Sequence, residues 1–187
     1  YRFDVFILAA LTDPVSVGIY TIAVTIAERL WILSSSISQV LFPRIVELED
    51  FEDERNRLTL MVTRYVLWVS LIIGILSLFF ADWAFVFLYD EEFRESAHVF
   101  KWLMPGIISM SMAKVLGNDI GARGYPQVNS IHSMIAVVVN VICNFWLIPI
   151  YGYLGAALAT SISYIVWMLI KVIYYVYKFK ASWYDVF

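Results

Sequence analysis

Charged positions are scarce along this chain, and where they fall predicts how it folds. Residues 15–27 are uncharged, Glu28 and Arg29 follow side by side, and residues 30–43 are uncharged again. A helix needs roughly 20 mostly apolar residues to cross a bilayer. Neither half suffices alone, so the pattern predicts one crossing over 15–43 with a charge pair near its middle. The same rule predicts four more crossings, at about 65–89, 97–119, 128–150 and 153–170. Asp82 and Trp83 suggest an interfacial bend in the first of these, because tryptophan favours the headgroup level. Pro105 and Gly106 suggest a kink in the next, and GARGYPQ (121–127) reads as a turn. VFILAAL (5–11) is apolar but too short to cross, which suggests the end of a helix that begins upstream. The expected fold is all-α: a polytopic transmembrane helix bundle of about five full spans plus a truncated N-terminal helix, in a fragment of a longer protein.

Composition strengthens this reading. Of 187 residues, 61% are hydrophobic and 16% charged, with a mean hydropathy of +0.77. Soluble domains run nearer 45–50% apolar and about 25% charged. A net charge of −3 gives no reason to expect nucleic acid as a partner. Cys143 stands alone, so neither a disulfide framework nor a cysteine metal site is expected.

Lysine and arginine then set the orientation. If residues 12–15 face outward, the inward loops 43–64 and 120–127 and the tail hold Arg44, Arg55, Arg57, Arg64, Arg123, Lys171, Lys178 and Lys180, with Lys114 able to snorkel there. The outward loops hold Arg94 and Lys101. Nine against two places the C-terminus in the cytoplasm. The acidic run Glu47, Glu49, Asp50, Glu52, Asp53 and Glu54 reads as a solvated surface.

Ionisable groups inside a bilayer cost roughly 2.5–3.5 kcal/mol each on insertion scales, so they face a bundle interior or a wet cavity. Thr21, Thr25, Glu28, Ser35 and Gln39 recur at helical spacings and share a face, while Arg29 is turned about 100° away. Adjacent residues on a helix do not meet. Glu28 and Arg29 therefore need partners elsewhere, and Arg2 and Asp4 are the candidates. Whether these four form a structural ion-pair network or a solute-binding cluster stays open. A second stripe holds Asn129, His132, Ala136, Asn140 and Asn144, and a third holds Ser111, Lys114 and Asn118. Asparagine and histidine can equally well bond neighbouring helices, and a lone His132 is no metal site. Gly155, Ala159 and Ser163, with Ala156, Thr160, Ala157 and Ser161, form small-residue rows suited to close helix packing.

No phosphate-binding loop, HExxH or GxSxG motif occurs, and no loop is long enough for a large extramembrane domain. Polar faces without catalytic motifs point to transport rather than to an enzyme.

Three stretches carry a family resemblance. VGIYTIAVTIAERLWILSSSISQVLFPRI (17–45), FLYDEEFRESAHVFKWLMPGIISMSMAKVLGNDIGARGYPQVN (87–129) and NFWLIPIYGYLGAALATSISYIV (144–166) resemble the second half of bacterial polysaccharide flippases. Those belong to the superfamily that also holds multidrug exporters and the lipid II flippase. The resemblance implies that residues 1–187 form the second, C-terminal bundle of a two-bundle flippase with alternating access, packed against an N-terminal bundle of the same protein. It implies a multi-pass protein of the bacterial cytoplasmic (inner) membrane, among membrane lipids. The implied cargo is a polyprenyl-pyrophosphate-linked oligosaccharide for O-antigen, capsule or exopolysaccharide. It implies no cofactor other than a coupling ion, proton or sodium. Cationic groups would suit a pyrophosphate, which singles out Arg2, Arg29, Lys114 and Arg123 in a cavity that Asp4, Glu28, Asn118, His132, Asn140 and Asn144 also line. Asp90 in LYDEEF departs from the family's glycine at a bend. A multidrug or lipid II exporter would share the fold; a polymerase or ligase of lipid-linked sugars would need a long outward loop bearing acids or histidines.

Overall fold

A computed structural model describes residues 3–48 and 50–181. Among them are seven α-helices and one 3₁₀ turn, with no strand: α1 (Phe3–Leu11), α2 (Pro14–Arg29), α3 (Trp31–Glu47), α4 (Glu52–Tyr89), α5 (Arg94–Ala122), α6 (Pro126–Tyr151) and α7 (Tyr153–Phe179), the 3₁₀ turn being Glu91–Phe93. Five helical stretches are long and apolar enough to cross a membrane: Pro14–Glu47, Glu52–Tyr89, Glu91–Ala122, Pro126–Tyr151 and Tyr153–Phe179. Their outer faces are heavily apolar; Phe79 is 79% exposed and Trp146 75%. Such a surface suits lipid and not water. This is a multi-pass membrane protein.

Local chemistry sets the helix ends. Asp13 caps α2 by accepting hydrogen bonds from the backbone N–H groups of Val15 (2.9 Å) and Ser16 (3.0 Å), and Pro14 occupies the first helical position. Its carboxyl is held below the usual carboxylate range, first by the Ser16 hydroxyl and then by the Ser16 N–H. The first crossing tightens at Leu30, whose N–H bonds Ala27 O at 3.2 Å, one residue past the charge pair. α4 ends at Asp90, whose φ of 78° and ψ of 172° lie in a region that glycine tolerates and other residues resist. The glycine expected there on the resemblance fits that backbone.

Three boundaries differ from expectation. The inward loop 43–64 is mostly helix, because α4 begins at Glu52. Charged residues continue a helix readily, and Glu52, Asp53 and Glu54 in its first turn complement the dipole; hydropathy locates the bilayer, not the helix end. α4 also runs through Asp82 and Trp83 without a break. Asp82 is satisfied sideways, accepting from Lys101 Nζ of α5 at 2.7 Å. α7 continues past residue 170 to Phe179, keeping Lys171 buried within the bundle.

α5 is the central helix. It packs against α2, α3, α4, α6 and α7, and buries residues on every side. Lipid tails are as apolar as leucine, so close contact and hydrogen bonds hold such a bundle together. At the α5–α7 crossing a methyl group on Gly106 would fall 2.5 Å from Ser161 Cα, so a larger residue would force the helices apart. There Ser161 Oγ donates to Trp102 O at 2.6 Å and accepts from Gly106 N–H at 3.3 Å. The small-residue rows of α7 are buried as their spacing predicts. Ser96 Oγ donates to Ile19 O (2.9 Å) and Trp31 Nε1 to Ile107 O (3.3 Å), tying α2 and α3 to the same central helix.

Candidate functional site

The packing leaves a cavity of about 440 Å³ walled by residues of α1, α2, α3, α5, α6 and α7. Asp4, Glu28, Lys114 and Asn140, all expected from sequence, line it together. Lys114 reaches from α5 over the ring of Trp31, 4.2 Å from its centre, and donates to Ser35 Oγ at 3.4 Å. Glu28 and Lys114 line the same two recesses from α2 and α5. Tyr164 leans on Trp31 with ring centres 5.5 Å apart, and Trp167 extends the aromatic wall. A second recess of about 480 Å³ shares Glu28, Trp31 and Lys114 and adds Arg29, Thr25, Ser35 and Gln39. Of the polar stripe, Thr25, Glu28, Ser35 and Gln39 line this recess; Arg29, expected to turn away from them, is exposed and lines it too. The site thus combines a cation, two carboxylates and indole faces within the membrane-crossing helices.

Asp4 is buried in a network of hydroxyls and amides. It accepts from the Tyr20 hydroxyl and, at 3.4 Å, from Thr160 Oγ1, while Tyr20 and Thr160 are 3.1 Å apart. Asn140 Nδ2 donates to Thr160 Oγ1 and Ser163 Oγ, both at 3.4 Å. Asn144 Nδ2 donates to Asn140 Oδ1 at 2.9 Å, leaving Asn144 Oδ1 buried without a hydrogen-bond partner among the described residues. Among the described residues no cluster of three His, Cys, Asp or Glu could hold a metal.

The other candidates lie elsewhere. Arg2 is outside the described residues. Asn118 is half-buried one turn beyond Lys114 and lines neither cavity. His132 is buried edge-on against Tyr174, ring centres 5.4 Å apart. Arg123 sits in a separate knot at the basic end of the bundle. Its Nε donates to both oxygens of the fully buried Asp119 (3.0 and 2.9 Å) and its Nη2 to Asn56 Oδ1 (2.7 Å) and the Tyr175 hydroxyl (3.2 Å). The guanidinium also lies 4.1 Å from the centre of the Phe179 ring. Arg55 Nε faces Asp119 Oδ1 at 3.4 Å. These contacts join α4, α5 and α7 rather than facing the cavity.

Sequence reasoning missed Trp31, Tyr20 and Thr160 as parts of the site. Thr160 fell in a small-residue row, and its position opposite Asp4 and Asn140 depends on helices far apart in the chain. The signal available was its hydroxyl in an otherwise inert row.

The profile of the family described as Lipid II flippase MurJ matches residues 3–183. The chain belongs to the MurJ flippase family. Within reach of it lies "Capsular polysaccharide biosynthesis protein CapF" of Staphylococcus aureus, 31% identical over 92% of this chain and 43% of that protein. "Probable low-salt glycan biosynthesis flippase Agl15" of Haloferax volcanii is 25% identical over 87% of this chain and 35% of its own length. "Probable flippase AglR" of the same organism is 27% identical over 86% of this chain and 34% of its own. The chain spans less than half the length of these relatives. No solved structure matches it.

Proposed function

We propose that the full-length protein flips polyprenyl-pyrophosphate-linked oligosaccharide units across the bacterial cytoplasmic membrane for surface polysaccharide synthesis. In this reading the chain is the second of two bundles, and its charged recess faces the first. The observation that carries the proposal is Lys114, a cation lining both recesses beside the aromatic Trp31 within the crossing helices. A cation meets a pyrophosphate or acidic sugar, and indole faces suit sugar rings. Arg29 in the outer recess adds a second cation toward the same space.

The relatives' names support a glycan cargo over lipid II, although the family profile carries the lipid II name. They also support a transporter rather than an enzyme. The excess of lysine and arginine at one end supports a cytoplasmic C-terminus. Asp4, among oxygen atoms and next to the cavity, is the carboxylate on which a coupling proton or sodium ion would act.

Cells lacking the full-length protein test this reading. Lipid-linked repeat units are expected to accumulate on the inner leaflet, with loss of surface polysaccharide. Normal delivery of those units to the outer leaflet, in cells without a related flippase, would refute it.

A further inference from the structure

On the outer side of α4, beside the Asn56 that binds Arg123, lies a groove of about 850 Å³. It shares no lining residue with the recesses around Lys114. Arg57, Arg64 and Lys180 line it against a single acid, Asp53, with Tyr65 and Trp68 completing its wall. Positions 57, 61, 64, 65 and 68 recur at three- and four-residue intervals and so share one side of α4. Lys180 arrives from the other end of the chain. Asn56 Nδ2 donates to Phe179 O at 3.3 Å, pinning the end of α7 to α4. Lys180 then takes a left-handed backbone, φ 52°, directly beyond that anchor.

The groove has a charged end and an apolar end. Tyr65 and Trp68 are exposed, and below them Ile72, Ile75, Phe79 and Trp83 continue the same exposed face along α4. Aromatic residues of this kind settle at headgroup level. We propose that the groove holds the phosphate of an anionic membrane phospholipid, with the acyl chains lying along the apolar face of α4. A guanidinium offers a planar fork that matches phosphate oxygens. Basic pockets beside membrane helices bind anionic headgroups on the cytoplasmic side. A free anion would use the cations but would leave the aromatic and aliphatic wall without a role; a lipid uses both.

The test is lipid retention by the purified full-length protein, counted by native mass spectrometry. It is titrated separately with phosphatidylglycerol, phosphatidylcholine, a polyprenyl phosphate and inorganic phosphate. Phosphatidylglycerol is expected to bind in preference to phosphatidylcholine. Because each nearby cation contributes about fivefold to the attraction of an anionic lipid, Arg57→Gln with Lys180→Gln should weaken retention by more than tenfold. Both side chains are exposed, so the double variant should fold. Asp53→Asn should strengthen retention, which moves the readout the other way. Equal binding of the two phospholipids, or a preference unchanged in the double variant, overturns the proposal. So does displacement by inorganic phosphate at equal concentration, which would mark a simple anion site. Tighter binding of the polyprenyl phosphate would assign the groove to cargo, and a co-purifying protein that covers it would assign it to a protein partner; either overturns the lipid assignment. The readout is binding, so failure here leaves the transport reading to its own test.

Discussion

Removing the carboxylate of Asp119 should destabilise the bundle more than any exposed charge change. Asp119 is fully buried between two guanidiniums that are themselves nearly so, Arg123 at 5% and Arg55 at 6% side-chain exposure. In Asp119→Ala those two cations face one another without an anion between them. Glu52 Oε1, 3.8 Å from Arg123 Nη1, is 72% exposed, and pairs of that kind are worth about 0–1 kcal/mol. Stranding a buried charge costs about 3–5 kcal/mol. The melting temperature should fall by several degrees, a shift that shrinks as the cooperative unit grows. Asp119→Asn keeps an acceptor oxygen for Arg123 Nε and should cost less. Glu91→Gln is the control: it breaks the Arg94–Glu91 pair, 2.6 Å long with partners 54% and 67% exposed, and should shift melting little. The assay is thermal unfolding of the full-length protein in detergent. If Asp119→Ala melts with Glu91→Gln, the knot does not hold α4, α5 and α7 together and the reasoning fails.

Further outcomes follow from the recess and the helix ends. Lys114→Met should weaken transport of the lipid-linked glycan about 10- to 100-fold, since a charged hydrogen bond is worth about 1.5–3 kcal/mol; normal flipping in everted vesicles would remove Lys114 from the cargo path. Glu28→Gln should lower flipping at unchanged protein level, whereas loss of abundance rescued by exchanging the charges of Glu28 and Lys114 would make the pair structural. Asp90→Gly relieves a backbone strain of about 1–3 kcal/mol against an entropy cost of about 0.5–1 kcal/mol, so a rise in melting temperature is expected and a fall would contradict the assigned strain. Asp13, with its carboxyl lowered in the folded state, stabilises the start of α2 above the unfolded carboxylate value near 4 and loses that contribution as pH falls through its lower folded value. The stability gap between Asp13→Ala and the parent should therefore be present at neutral pH and close in acid.

The membrane crossings were legible in the sequence because a bilayer imposes a length and a composition on any segment that spans it. The α7 small-residue rows and the α2–α3 polar stripe were legible for a related reason: helical spacing alone decides which residues share a face. The same rule placed Glu28 in a polar setting, whereas Arg29, expected to turn away from it, lines the same recess. Helix boundaries were less legible, since α4 begins in a charged segment and runs past Asp82, which pairs with Lys101 while its side chain stays 46% exposed. What only the tertiary structure decided was the choice of partners. Arg123 and Lys114 look alike as basic residues near one end of the chain's crossings, yet one is consumed by Asp119 and the other is left over the Trp31 ring. Asp4, Thr160 and Asn140 meet although 156 and 20 residues separate Thr160 from the other two. Charge and periodicity act along one helix, whereas pairing is set by how several helices cross, and no local pattern encodes that crossing.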